Sequence, residues 1–407
     1  MSIKHRMAPG FRTIEGGLFS TVTKADVGDG AAVLAAKGVT MLGWADPFAP
    51  DPALPAHIMR ATVAALQTGI PAHYTMPIGN ADLRAAIAKK LASQNGIQAD
   101  PARNVLVTPG SDSGLFYAMY LFLEAGDEVL VPDPSYPNNM QNIQMAGAKS
   151  VPVPLRAENG YQPMAADFAA AITPKTKMLV LTNPNNPTST VFARENMEAL
   201  AALCVQHDLV CIVDQAFEDM IYDGREMVSM AALSGMWERT VTVFSVSKGM
   251  ALSGYRVGYL AACDEIMDVL YGAAVSVVGA TNTAAQLGVL AAFEDPSFVR
   301  GYADIFDARR KVIYDIIKPV PGVKMDLPQS AFLCWMDVSR LGSAAEVSAF
   351  LVEEARVMVN EGTTYGKEGA GHLRIVFGCL ANDEELYDAF RRIAAALTRL
   401  ARQKGIA

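Results

Sequence analysis

Lys248 is the residue of this chain best placed for covalent chemistry. It follows the apolar run 240–244 in Ser245-Val246-Ser247-Lys248-Gly249, within a sparsely charged stretch. Lysine is seldom buried without a task, and desolvation lowers its pKa and frees its amine. A neutral lysine amine is a Schiff-base nucleophile. Arg256 follows in Ser253-Gly254-Tyr255-Arg256, and an arginine among hydroxyls suits a phosphate. A second anion site is spelled by Thr108-Pro109-Gly110-Ser111-Asp112-Ser113-Gly114, a glycine turn that opens a helix after a strand. The free N–H groups and dipole of a helix start favour phosphate. The segment is neither a Walker A loop nor a dinucleotide fingerprint, and taken alone it reads first as a simple helix cap. Thr182-Asn183-Pro184-Asn185-Asn186-Pro187-Thr188 makes a rigid, amide-rich turn after another apolar run. Asp214 ends the run 209–213, where a carboxylate inside a sheet needs a cationic partner. The order is phosphate site, amide turn, buried carboxylate, lysine, arginine. Pyridoxal phosphate needs such a set: a phosphate cradle, an acid partner for its ring nitrogen and a lysine for its aldehyde.

The elements that must position these residues are short apolar runs at 105–108, 128–132, 150–153, 177–182, 209–214, 240–244 and 257–261. Most are β-branched and apolar on both faces, and end in Gly, Pro, Asn or Asp. Helical patterns at 111–124, 138–146, 165–172 and 194–207 lie between several of them. This βαβ rhythm predicts an α/β fold whose large domain is a mostly parallel seven-stranded sheet sandwiched by helices. The C-terminal region alternates differently: helix 297–317, strand 331–336, helix 344–354, strands 357–360 and 372–377, and helix 383–402. It reads as a smaller α+β domain with which the N-terminal segment is expected to pack. The large domain is then 48–296, and the small one is discontinuous, 1–47 with 297–407.

The ordered motifs resemble the class I/II aminotransferases, the fold type I group of pyridoxal-phosphate enzymes, over nearly the whole chain. The resemblance implies that Lys248 joins the cofactor aldehyde and Asp214 pairs with the ring nitrogen. It implies that Asn186 bonds the ring's phenolic oxygen and Tyr136, in Pro134-Ser135-Tyr136-Pro137, stacks on the ring. Ser111, Asp112 through its backbone N–H, Ser245, Ser247 and Arg256 would hold the phosphate. Arg374, in Gly371-His372-Leu373-Arg374-Ile375, would grip the substrate α-carboxylate as a two-pronged fork. Tyr74 matches a family tyrosine that reaches the neighbouring subunit's phosphate, which implies a homodimer with shared sites.

Two departures stand out. The family usually has a tyrosine three residues after the ring-nitrogen aspartate; here Asp214-Gln215-Ala216-Phe217 has no hydroxyl there, unless Tyr222 or Tyr255 substitutes. The family's glycine-bearing loop before Asp-Pro reads Leu42-Gly43-Trp44-Ala45-Asp46-Pro47, with Gly43 and Trp44 on the substrate side. The implied activity is ping-pong transfer of an amino group from an L-amino acid to a 2-oxo acid. Relatives specific for dicarboxylates supply a second cation, from a partner segment or beside the phosphate loop. This chain has no Arg or Lys in 273–283 and has Asp112 beside the loop. A neutral or aromatic donor is expected, with a basic one open. The same cradle also serves C–S lyases and related β-elimination enzymes, and non-catalytic cofactor-binding regulators, which usually carry a basic DNA-binding module ahead of it.

Composition sets the outer bounds. The chain has 407 residues, 51% hydrophobic and 19% charged, too apolar for disorder and long enough for a large core. Lys and Arg number 34 against 42 Asp and Glu, a net charge of −8. That excludes the basic footprint of a nucleic-acid partner and any cationic membrane-surface patch. The five cysteines have no metal-ligand spacing, which with the absence of an apolar leader at the N-terminus implies a reducing, cytoplasmic setting. The stretch 269–293 carries no charge, but its Gly, Ser, Thr, Asn and Gln residues favour a buried segment or subunit interface over a membrane span.

Overall fold

The computed structural model describes residues 3–14, 29–48, 54–277 and 279–406. Strands in chain order are β1 (Thr40–Met41), β2 (Val105–Thr108), β3 (Glu128–Asp133), β4 (Lys149–Pro154), β5 (Thr176–Thr182), β6 (Val210–Asp214), β7 (Thr240–Ser245), β8 (Gly258–Ala261), β9 (Lys324–Met325), β10 (Leu333–Asp337), β11 (Val357–Met358), β12 (Asn360–Glu361) and β13 (His372–Val376).

All seven runs expected as large-sheet strands form one sheet, in the order β2-β8-β7-β6-β5-β3-β4. Its pairings are parallel except those of β8, which is antiparallel to β2 and β7. Continuous apolar runs work here because both faces are covered. Alternate side chains enter opposite cores. Val129 and Val131 pack under helices Ser111–Tyr120, Pro137–Met145 and Asp264–Val277. Leu130 packs on the other side with helices Ala165–Ala171 and Arg194–Gln206. Because β2, β5, β6 and β7 point the same way, their carboxyl ends share one edge. Ligands bind at that edge in open α/β sheets.

The helix expected at 111–124 stops at Tyr120. The following turn is tightened instead by Phe122 and Leu123 N–H groups on the Met119 carbonyl and by the Asp127 carboxylate on the Glu124 N–H. The uncharged stretch falls on helices Asp264–Val277 and Thr283–Glu294. Among the described residues no helix is long and apolar enough to cross a membrane.

In the C-terminal region β12-β13-β10-β9 form an antiparallel sheet. Helices Ser297–Ile317, Ala344–Glu354 and Asp383–Gln403 cover it, as their amphipathic patterns require. The second of these opens on a reciprocal Ser343/Glu346 capping box. The single strand expected at 357–360 is two. β11 pairs in parallel with β1, while β12 pairs with β13. Val359 is the hinge between them and is buried. Leu42, Ala45 and Phe48 join this core, and Phe217 and Tyr222 meet it from the large sheet.

Candidate active site

The carboxyl edge of the sheet opens on a cavity of about 510 Å³. Trp44, Ser111, Asp112, Tyr136, Asn186, Asp214, Phe217, Ser245, Ser247, Lys248, Arg256 and Arg374 all line it, with Ala45, Asp46, Ala216, Ser253 and Gly254. Residues separated by up to 330 positions in the chain are thus brought to one hollow. The expected residues outside the lining are Gly43 and Tyr74. Gly43 touches the site through its carbonyl. Tyr74 is fully exposed and is not among the residues that line the cavity.

Lys248 leaves the end of β7 and its Nζ donates to the Ala45 carbonyl at 2.6 Å. One strand over, Asp214 ends β6, is 4% exposed and accepts from the Ala216 N–H at 3.0 Å. Burial pushes its carboxyl up to about 7; the Asp112 carboxylate adds to the rise, and the Lys248 ammonium opposes it. Such a buried carboxylate suits a cationic ligand atom.

The anion cradle is built from backbone as much as side chains. Gly110, at φ 83°, turns the chain from β2 into the helix Ser111–Tyr120. A Cβ there would lie 2.4 Å from an Arg256 guanidinium nitrogen, and the positive φ itself favours glycine. Arg256, itself left-handed at φ 52°, is braced by the Ser253 carbonyl. Ser245 accepts the Ser247 N–H and both are nearly buried. Gly258, not singled out from the sequence, completes the cradle. A Cβ on it would stand 2.6 Å from the Ser111 nitrogen and 2.8 Å from the Phe244 carbonyl. A glycine inside a strand is the signal for such a close approach.

Opposite lies Arg374, on β13 and 1% exposed. Its guanidinium donates to the Gly43 carbonyl at 2.7 Å, to Asn360 Oδ1 at 2.9 Å and to Asn186 Oδ1 at 3.2 Å, and lies 4.8 Å from the Tyr365 ring centroid. These three acceptors orient the guanidinium, whose planar fork suits a carboxylate. Asn360 and Tyr365 were not legible as site residues; a lone Asn at a strand end reads as punctuation.

The missing hydroxyl at Phe217 is not replaced by the two candidate tyrosines. Tyr222 donates to the Ala331 carbonyl, and Tyr255 pairs with Thr62 Oγ1 at 2.9 Å. Phe217 instead packs edge-on against Phe332, centroids 5.5 Å apart. Asp112 does not cap its helix, whose N-cap is Gly110. Its Oδ1 accepts from Asn138 Nδ2 at 2.8 Å and from the Tyr136 hydroxyl at 3.2 Å. All five cysteines are buried and free, and burial pushes the Cys379 thiol up to about 12. No cluster of metal-ligating side chains occurs among the described residues.

The chain is 34% identical over 352 residues to an aspartate aminotransferase of Musicola paradisiaca, covering 86% of this chain and 87% of that one. It is 32% identical over 395 residues to an arginine–pyruvate transaminase of Pseudomonas aeruginosa, covering 94% and 98%. The solved aromatic aminotransferase of Pyrococcus horikoshii superposes with a TM-score of 0.85 at 31% identity, over 93% of this chain and all of that one. The family model for aminotransferase class I and II matches residues 46–393, and the chain belongs to that family.

Proposed function

We propose that this aminotransferase works with pyridoxal phosphate in the cavity at the carboxyl edge of its sheet, taking the amino group of an L-amino acid and passing it to a 2-oxo acid. One observation carries the reading: Lys248, Asp214, Asn186 and Arg374 face a single cavity beside a glycine-built anion cradle. The residues fit the cofactor. The cavity volume is in the range of small-molecule sites, the buried Asp214 suits a pyridinium nitrogen, and the Gly110–Arg256 contact leaves backbone N–H groups and a guanidinium for a phosphate.

Ser111, Ser245, Ser247, Arg256 and the Asp112 N–H would hold the phosphate. Asp214 would hold the ring nitrogen, Asn186 the phenolic oxygen, and Tyr136 the ring face. When bound, the cofactor supplies an aldehyde and an electron-withdrawing ring. Arg374 receives the donor's α-carboxylate and fixes its Cα near Lys248 Nζ. The lysine would take the donor's Cα proton and hand it on to the carbon that the cofactor's aldehyde supplies, as a general base and then acid held by the Ala45 carbonyl. A homodimer, with Tyr74 reaching the partner's phosphate, belongs to the same reading. So does the division into 48–296 and 1–47 with 297–407, supported by separate cores; parts of both segments lie outside the described residues.

The relatives' names span aspartate, aromatic and arginine donors, so donor choice rests on this chain's own cavity. Among the residues lining it, no cation is left over for a side-chain carboxylate, and Trp44 and Tyr136 offer apolar faces to a neutral or aromatic donor. The test is the visible spectrum of the loaded protein with single amino acids and no acceptor. Bleaching of its band, restored by a 2-oxo acid and abolished in Lys248→Ala, is expected. A band that persists while pyruvate and ammonia appear would instead mark a lyase.

A further inference from the structure

We propose that Asp133 is a positioning residue for the substrate's carboxylate: it pins the loop 362–371, and the loop holds Arg374 in place. This rests on the reading above in which Arg374 receives that carboxylate. Asp133 ends β3 at the carboxyl edge of the sheet and is 5% exposed, yet it is absent from the cavity lining. Its carboxylate serves the loop instead. Oδ2 accepts from the Lys367 N–H at 3.0 Å and Oδ1 from the Glu368 N–H at 3.1 Å. A buried carboxylate is costly unless hydrogen-bonded, and here both oxygens are committed to one loop. The Ser135 N–H adds a third tie, to the Tyr365 carbonyl at 2.8 Å. Gly366, at φ 134°, makes the approach possible, since a Cβ there would overlap Asp133 Oδ1.

The loop passes this anchoring on to Arg374. It joins β12 to β13, whose pairing sets Asn360 opposite Arg374. Two short helical turns, Gly362–Tyr365 and Lys367–Gly369, make it a compact piece. Tyr365 closes the first turn and is buried, its ring 4.8 Å from the Arg374 guanidinium and edge-on to Trp335. Asn360, just ahead of the loop, accepts from Arg374 at 2.9 Å. A loop that drifts from Asp133 therefore carries off two of the groups that orient the fork. A binding constellation tolerates only about 0.5 Å of misplacement. Asp133 lies outside the cavity lining, so its loss falls on carboxylate binding and not on proton transfer at Lys248.

The experiment uses the loaded parent protein, Asp133→Asn, Gly366→Ala and the double variant. Asp133→Asn keeps the shape but replaces one acceptor oxygen with an N–H donor; Gly366→Ala breaks the same contact from the loop side. Calorimetry measures the affinity for 3-phenylpropanoate, a carboxylate that has no amine and cannot react. Bleaching of the visible band by L-phenylalanine without acceptor gives a half-saturating concentration and a limiting rate. In each single variant the carboxylate affinity is expected to fall about tenfold and the half-saturating concentration to rise as much, with the limiting rate within about threefold. The double variant should be no worse than the poorer single one, because both changes break one contact. Carboxylate affinity equal to the parent's in the folded variants, with only a lower melting temperature, would overturn the proposal and leave Asp133 a purely structural role. Additive losses in the double variant would overturn it too. If no amino acid bleaches the parent's band, the aminotransferase reading fails; the carboxylate titration, which needs no reaction, still decides Asp133. Either single variant serves alone if the other does not fold.

Discussion

At the residue scale, the chemistry turns on groups whose environment departs from the ordinary. Asp214 is the clearest. Its carboxyl ordinarily titrates near 3.8 and burial lifts it to about 7. Below pH 4 the group is protonated folded or unfolded, so it imposes no penalty. As pH rises to 7 the unfolded chain ionises first and stability is lost; above 7 the loss is complete. Cofactor-free Asp214→Asn, which cannot ionise, is therefore expected to melt above the parent at pH 8, by as much as about 4 kcal/mol, and to converge on it towards pH 4. Melting curves of both proteins across that range check the sign. Phe217 gives a second test. No hydroxyl stands where the family has one, and Tyr222 and Tyr255 are tied elsewhere. The visible chromophore of the loaded enzyme is expected to lose its proton about one pH unit lower in Phe217→Tyr, because a hydrogen bond to the deprotonated oxygen favours that form. An unchanged titration would show that the ring oxygen is served by another donor. Lys248 and Asp214 were legible in the sequence because each ends an apolar run, where a charge is conspicuous. The Ala45 carbonyl, Asn138 and Asn360 were not, since a backbone acceptor or a lone amide leaves no trace in residue type.

At the element scale, the seven large-sheet strands were readable because a strand buried on both faces must be apolar throughout. Their spatial order was not, because sequence does not say which run lies beside which. Helix lengths erred where a turn could be closed by other means: at 121–124 side-chain and tight backbone bonds end the helix before its apolar pattern does. Likewise 357–360 looked like one strand although its halves serve different sheets. Near the middle of helix Ser297–Ile317 the pair Arg309 and Arg310 is buried: Arg309 binds three carbonyls and Asp383, and Arg310 binds Asp223 and Asp307. Gly258 offers the sharpest test at this scale. It stands at the start of β8, where a methyl would press on the Ser111 nitrogen. Gly258→Ala should push the helix start away from Arg256 and weaken cofactor binding at least about tenfold, with a smaller fall in melting temperature of the cofactor-free protein. Cofactor titration followed by absorbance measures the first effect. Equal affinity in the variant would show that the cradle is not built on this contact.

At the scale of the whole molecule, the proposed homodimer bears on one surface. Met59, Val63 and Leu66 share a face of helix Ala56–Gln67 and are each about half exposed, and Ile70, Tyr74 and Met76 continue the apolar surface beyond it. Exposed apolar residues grouped in this way suit an interaction site, and the homodimer proposed above would cover them, because a two-fold axis pairs a patch with itself. If Tyr74 acts across that axis, each site needs Lys248 from one chain and Tyr74 from the other. Lys248→Ala and Tyr74→Ala proteins, each nearly inactive alone, should then complement. Unfolded together and refolded as an equal mixture, half the dimers are mixed, and each mixed dimer holds one intact site. Activity should return to about a quarter of the parent's. A tyrosine acting within its own chain would yield no such recovery, since every site would then lack either its lysine or its tyrosine. The same mixture run on a sizing column separates loss of the dimer from loss of the shared site.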